Sequence, residues 1–357
     1  MTKVKIDCKH KSYDVLIGEG LLKKTGEILK EYMSPCSAVL VTDSNVDSLY
    51  AGGVEQSLKK AGFNTFKFVF PHGEGSKNLG VLAELLEFMA ANGVTRSDLT
   101  VALGGGVTGD LAGFASAVYM RGIRFVQIPT TFLAATDSSV GGKTGVNLKA
   151  GKNLAGAFWQ PELVICDTES FNTLSREVMA DGIAEAIKYG VIKDKNLFDT
   201  FCEGDWRDLT QKIVARCVEI KGEVVNKDEL DKGERQLLNF GHTLGHAIEK
   251  LSGYTVAHGH GVAVGMVLIT RAAERRGIAE KGSLNSLIVA LKKQELPVSC
   301  DYDAAQLTEA ALSDKKRTGE KINLIVPRRI GEAEIMPLPV EELEAFICSG
   351  LSGEDEA

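Results

Sequence analysis

The chain has 357 residues, 44% of them hydrophobic and 25% charged, with a formal net charge of −7. That length has room for two domains with buried cores, and the acidic balance gives no support to nucleic-acid binding. Seven cysteines, an odd count with no Cys-x-x-Cys pair, argue against a disulfide framework or a cysteine zinc site and point to reduced thiols in the cytoplasm.

The N-terminal stretch carries no apolar leader segment, and no apolar run reaches membrane-spanning length, so no membrane partner is expected. Residues 3–17 read as an antiparallel hairpin. A buried strand over 37–42 ends at Asp43, and a helix follows over 46–61. Next come a strand over 65–70, the loop carrying Glu74 and Lys77, and an amphipathic helix over 78–92. Further strands are expected at 99–103, 124–128 and 163–166. Strand–helix alternation with short connections predicts an α/β N-terminal domain whose parallel sheet is covered on both faces. Beyond about residue 168 helical periodicity dominates, at 175–193, 205–227, 233–251, 259–277, 283–294 and 303–313. Short strands are expected at 322–326 and 333–336, and the acidic end at 353–357 as a frayed tail. The expected organisation is an α/β domain over 1–168 and a mainly α-helical domain over 169–357, packed tightly with ligands where they meet.

Gly104, Gly106 and Gly109 satisfy G-x-G-x-x-G between a strand and a helix. The turn suits close backbone approach to a pyrophosphate, and the helix N-terminus favours its charge. The spacing alone is unspecific, and the acidic ribose ligand expected about 20 residues on is missing: no Asp or Glu lies between Asp110 and Asp137. Polar strand ends at Asp43, Glu74, Lys77, Thr130 and Thr131 converge instead on one sheet edge. They predict a non-standard, Rossmann-like nucleotide site.

Arg235, Asn239, His242 and His246 are spaced by four, three and four. On a continuous helix that spacing puts them on one face. Catalytic zinc commonly takes three protein ligands and keeps an open position, for which Glu185, His242 and His258 are candidates. His242 is followed by Thr243 rather than the Glu of H-E-x-x-H, which argues against a metalloprotease. Asp137, Lys143, Lys152, Asn153, Lys188 and Lys221, with the 314–317 stretch, supply cations and amides suited to a ligand bearing phosphate and carboxylate.

Several stretches resemble the 3-dehydroquinate synthase family of sugar phosphate cyclases. They are 104–110 with Leu111-Ala112-Gly113-Phe114, then 119–122, Ile128-Pro129-Thr130-Thr131, 137–144, 151–153, 185–190 and Leu238-Asn239-Phe240-Gly241-His242-Thr243, all in order. The resemblance runs roughly from Asp7 to Pro337 and implies that family's fold. It implies Zn2+ or Co2+ on Glu185, His242 and His258. It implies NAD on Asp43, Glu74, Lys77, Gly105, Gly106, Val107, Thr108, Gly109, Asp110, Thr130, Thr131, Lys143, Lys152, Phe171, Asn172 and Thr173. Substrate contacts carry over to Asp137, Lys143, Asn153, Lys188, Lys221, Arg235, Asn239, His246 and either Lys315 or Lys316. Arg121 matches an arginine that reaches a neighbouring subunit's phosphate site, which implies a homodimer. One departure is His260, where the family often carries Glu. It is a possible competitor of His258 for the metal. The implied reaction converts 3-deoxy-D-arabino-heptulosonate 7-phosphate, a phosphorylated keto-acid sugar, to 3-dehydroquinate and phosphate. Hydride is lent to NAD and returned. Alternatives are another sugar phosphate cyclase or a metal-dependent polyol dehydrogenase.

Overall fold

The computed structural model describes residues 1–9, 11–203, 205–314 and 320–351. Lys315, Lys316 and the acidic tail at 353–357 lie outside the described residues. The chain forms two compact units, one of Met1–Ser175 with Val214–Leu230, the other of Arg176–Ile213 with Asp231–Ala357. A single cut near residue 168 does not express the return of 214–230 to the first unit. Two contacts draw it back: Lys221 Nζ lies 2.9 Å from Asp137 Oδ1, and a Cβ on Gly222 would stand 2.6 Å from Ile6 Cδ1.

The first unit is built on a seven-stranded sheet. Its strands are β1 (Thr2–Asp7), β2 (Ser12–Gly18), β3 (Ser37–Asp43), β4 (Asn64–Phe70), β5 (Leu99–Gly104), β6 (Arg124–Pro129) and, after a separate hairpin of β7 (Lys143–Leu148) and β8 (Gly151–Phe158), β9 (Leu163–Asp167). The order is β1-β2-β9-β6-β5-β3-β4. Every neighbouring pair is parallel except β1 with β2. Successive side chains alternate between two cores, as the period of a strand requires. Ala38, Leu40, Val101 and Leu103 pack with helical Leu29, Val54 and Leu58 on one face. Val39, Val41, Ala102 and Phe125 pack with Leu85, Met89, Leu111 and Ala115 on the other. Covering on both faces explains why β5 is buried throughout and reads as nearly continuous apolar sequence, with Thr100 as the exception.

The chain leaves β3 for β4 on one side and returns to β5 on the other. The ends of β3 and β5 therefore flank a topological switch point, where open α/β sheets bind ligands. Helix α1 (Gly106–Val118) begins there. The hairpin β7–β8 packs against α1, and Gly113 permits the approach, since its Cβ would lie 2.4 Å from Thr144 Cγ2. Glycines at 145, 151 and 156 hide these two strands from any reading of alternation.

In the second unit α2 (Arg176–Lys193) is buried on nearly every side from Ala180 to Ile192, and the charged Glu185 and Lys188 are buried with it. Helix α3 (Thr210–Lys227) leads back to the first unit. Helices α4 (His242–Leu251) and α5 (His258–Arg275) and the hairpin of β10 (Lys321–Arg329) with β11 (Glu332–Pro339) complete the functional part.

The continuous helix expected over 233–251 is broken. Glu234–Asn239 is a 3-10 turn, Gly241 takes φ 77, and α4 starts at His242. Arg235 and Asn239 therefore share no helical face with His242 and His246. Tertiary packing imposes the break. A Cβ at Gly241 would meet Met266 Cγ at 2.6 Å and Val262 O at 2.7 Å, one at Gly245 would meet Val262 N at 2.9 Å, and one at Gly265 would meet Gly241 O at 2.1 Å. Helices α4 and α5 thus touch backbone to backbone. Gly259 does the same for α2, its Cβ position lying 1.9 Å from Asp181 O.

Gly265→Ala should lower the urea midpoint, with an overpacking cost of about 1–3 kcal/mol. Gly52→Ala is the control: that glycine has φ −59 and nothing within 4 Å of its Cβ position, so it should not destabilise.

Candidate active site

Glu185 comes from the buried middle of α2, while His242 and His258 are the first residues of α4 and α5. Glu185 Oε1 lies 3.5 Å from His242 Nε2 and 3.6 Å from His258 Nε2. The three ligand atoms all fall within 4.8 Å of one another. Ligand atoms about 2.1 Å from a tetrahedral ion stand roughly 3.4 Å apart, so the spacing fits a single small cation. His242 Nδ1 faces Phe240 O at 3.0 Å. As the Nδ1–H tautomer it donates there and leaves the Nε2 lone pair toward Glu185.

The two histidines titrate in opposite directions. Burial drives His242 down to about 3, with the Lys188 cation adding to the effect and Glu185 opposing it. Burial alone would depress His258 too, but the two carboxylates beside it, Glu185 and Glu249, outweigh it and raise it to about 10.

Lys188 sits one turn beyond Glu185 and forms a direct ion pair with its Oε2. Both side chains are about 1% exposed, so neither charge is tolerable there without a partner. His246 completes the cluster, its ring centroid 5.5 Å from that of His242 and 5.7 Å from that of His258. Arg235 is buried at 2% exposure, and Asn239 is half-buried on the same 3-10 turn. His260 stands apart: its Nδ1 is 3.4 Å from Asp181 Oδ1, and it joins neither three-ligand set found among the described residues.

In the first unit Asp43, at the end of β3, caps the following turn, Oδ1 accepting from Asn45 N at 2.9 Å and Val46 N at 3.1 Å. Its Oδ2 faces Thr108 Oγ1 at 3.5 Å across the switch point. Gly105, Gly106 and Val107 form the entry to α1, and Gly109 lets that helix lie on the sheet, its Cβ position 2.6 Å from Gln127 Oε1. Lys77 is buried and pairs with Asp110 Oδ2 at 2.5 Å and Asn153 Oδ1 at 2.6 Å. Burial pushes the Asp110 carboxyl up, against the pull of Lys77. Glu74 Oε1 accepts from Asn147 Nδ2 at 2.7 Å, and Asn147 Oδ1 accepts from Asn153 N at 2.8 Å. A cavity of about 460 Å³ between α1 and the hairpin is lined by Asp110, Lys143, Thr144, Asn153 and Phe158 among others.

Thr130 is buried, Thr131 Oγ1 accepts from Ala134 N at 3.2 Å, and Lys152 is half-buried on β8. Phe171 is a core residue, its ring 5.5 Å from that of Phe132. Asn172 is exposed, and Thr173 Oγ1 meets Tyr50 Oη at 2.6 Å. Lys221 belongs with Asp137 in the first unit, while Arg235 belongs to the second. Arg121 is exposed at φ 69, between Met120 at φ 48 and Gly122 at φ 123.

Two residues escape sequence reasoning. Glu249 Oε1 lies 2.8 Å from His258 Nδ1, and Asp181 Oδ1 accepts from Gly259 N at 2.5 Å at the start of α5. Glu249 leaves one signal, an acidic side chain seven residues after His242 on an apolar helix stripe; Asp181 leaves none.

Solved structures place this architecture. A 2-deoxy-scyllo-inosose synthase solved with carbaglucose-6-phosphate, NAD+ and Co2+ matches with TM-score 0.85 at 25% identity, covering 98% of this chain and 100% of that one. A 2-epi-5-epi-valiolone synthase from Streptomyces hygroscopicus, solved with NAD+ and Zn2+, matches with TM-score 0.87 at 27% identity over 96% and 98%. The fold is that of the sugar phosphate cyclase class. Within it, the 3-dehydroquinate synthase N-terminal profile matches residues 67–181 and the C-terminal profile residues 182–317. The 3-dehydroquinate synthase of Streptococcus sanguinis is 44% identical over 352 residues, 97% of this chain and 99% of that one. The chain belongs to the 3-dehydroquinate synthase family.

His242→Ala and Glu185→Gln should each abolish stoichiometric zinc binding in a chelator competition while circular dichroism stays that of the parent. His258, raised to about 10, is protonated at neutral pH without an ion, whereas His242, lowered to about 3, is already neutral. Zinc binding should therefore release about one proton per ion, and affinity should rise with pH up to about 10. Calorimetry in buffers of differing ionisation enthalpy reads that proton; zero release would remove His258 from the ligand set.

Proposed function

We propose that the chain is a phosphate-eliminating lyase converting 3-deoxy-D-arabino-heptulosonate 7-phosphate to 3-dehydroquinate and inorganic phosphate, within aromatic amino-acid biosynthesis. The observation that carries the reading is Glu185 Oε1 held at cation spacing from two histidine Nε2 atoms. The relatives at 44% identity over nearly the whole chain support this substrate over those of other cyclases.

The first unit takes NAD at the switch point: Asp43 toward a ribose, the Gly105–Gly106 turn and the start of α1 toward the pyrophosphate, with Glu74, Lys77, Lys152 and Thr130–Thr131 around them. Bound NAD supplies a reversible hydride acceptor. The second unit takes Zn2+ or Co2+ on Glu185, His242 and His258, and the bound ion supplies Lewis acidity toward the hydroxyl to be oxidised.

The remaining work belongs to side chains. Lys188, fixed beside Glu185, stabilises negative charge developing on that hydroxyl, with Asp137 orienting it. Lys143, Asn153, Asn239 and His246 hold the phosphate until it leaves. Arg235 and Lys221 hold the carboxylate. Oxidation acidifies the neighbouring carbon, which allows β-elimination; return of the hydride cancels the redox change. Ring opening and aldol closure then need a confined conformation more than further acid–base groups. Arg121, exposed on a turn of successive left-handed residues, serves the phosphate site of a second copy in a homodimer. Exposed Val118 and Met120, each 43% accessible, lie beside it. The enzyme works in the cytoplasm. No described helix is long and apolar enough to cross a membrane.

Incubated with the heptulosonate phosphate, zinc and catalytic NAD, the protein should release one phosphate per cyclic product formed without accumulating NADH. Stoichiometric NADH would mark a polyol dehydrogenase, and no phosphate would end the assignment. Arg235→Ala should lower kcat/KM for this acid about 10–100-fold, the value of a charged hydrogen-bonded contact. Unchanged kinetics would remove Arg235 from the site.

A further inference from the structure

His258 belongs to two possible three-ligand sets. One is Glu185, His242 and His258; the other is His246, Glu249 and His258, and in each the ligand atoms lie within 4.8 Å of one another. The two sets use opposite nitrogens of the same imidazole: Nε2 faces Glu185 and Nδ1 faces Glu249. The distances differ in kind. Nδ1 to Glu249 Oε1 is 2.8 Å, a hydrogen bond. Nε2 to Glu185 Oε1 is 3.6 Å, too long for a hydrogen bond but close to the roughly 3.4 Å separation of two ligands on one ion.

We propose that Glu249 is a positioning residue that holds His258 as the Nδ1–H tautomer, and so selects the set containing Glu185 and His242 over the set containing His246. An imidazole that donates Nδ1–H to a carboxylate offers only its Nε2 lone pair to a metal, and the carboxylate raises the basicity of that lone pair. Glu249 is placed for this task. It lies two turns along α4 from His242, is 2% exposed, and turns toward the start of α5, its Cγ in ordinary contact range, 3.5 Å, of the Cβ position of Gly261. The same bond keeps His246 out of the ligand set and available to substrate.

The inference rests on the metal reading above, and one set of variants separates the two. Metal-free parent, Glu249→Gln, Glu249→Ala, His242→Ala and the His242→Ala/Glu249→Ala double variant are titrated with Zn2+ against a chromophoric chelator and with Co2+ by visible absorption. Glu249→Gln, isosteric and still an acceptor, should weaken zinc by about tenfold and Glu249→Ala by about a hundredfold. The Co2+ ligand-field bands should shift in Glu249→Ala and be partly restored in Glu249→Gln, a signature that a purely structural role would not move. His242→Ala should lose the ion. Parent-like zinc affinity and Co2+ bands in Glu249→Gln and Glu249→Ala, with the ion lost in His242→Ala, would overturn the positioning role and leave the metal site standing. Tight zinc in His242→Ala that disappears in the double variant would place the ion on His246 and Glu249 and overturn both readings. If Glu249→Ala does not fold, Glu249→Gln decides.

Discussion

The candidate metal site follows from one contact, the glycine-lined meeting of α4 and α5. Gly241 and Gly245 on one side and Gly261 and Gly265 on the other remove every Cβ that would keep the two backbones apart. Each helix begins at a histidine, so bringing their starts together brings His242 and His258 together. Gly259 lets α2 press against the same junction and deliver Glu185. Two helix N-termini and the Lys188 ammonium all present positive charge to this spot, which opposes a cation. Two buried carboxylates, Glu185 and Glu249, offset it.

Three of the lysines read from the sequence as cofactor or substrate ligands are already engaged. Lys77 is on Asp110, Lys188 on Glu185 and Lys221 on Asp137. Burying an ammonium this deeply is costly unless a carboxylate accompanies it, and the pair itself adds little net stability. The effect of the pairing is positional. Long flexible side chains are held in one place before a ligand arrives, so less ordering remains for binding to impose.

The candidate nucleotide site depends on chain topology rather than on a close crossing. The switch in direction between β3 and β5 opens the sheet edge where Asp43 and the Gly105–Gly106 turn face one another. No acidic residue lies between Asp110 and Asp137, and the carboxylate at this edge is that of Asp43 at the end of β3, the strand beside β5.

Periodicity showed the parallel sheet and most helices because both faces of the sheet and the stripes of the helices are buried, and burial writes a local period into the chain. The hairpin β7–β8 escaped because glycines interrupt that period. The helix expected over 233–251 was wrong because Gly241 answers to Met266 and Val262 on another helix, not to its own neighbours. By itself the sequence determined the chemical types, a glutamate, histidines, cations and a glycine turn, and its ordered motifs determined the family. Only the tertiary structure decided which atoms meet. Glu185, the His242–Glu249 helix and His258 come from three separate helices, and their common focus exists because backbones without Cβ atoms could close to van der Waals contact.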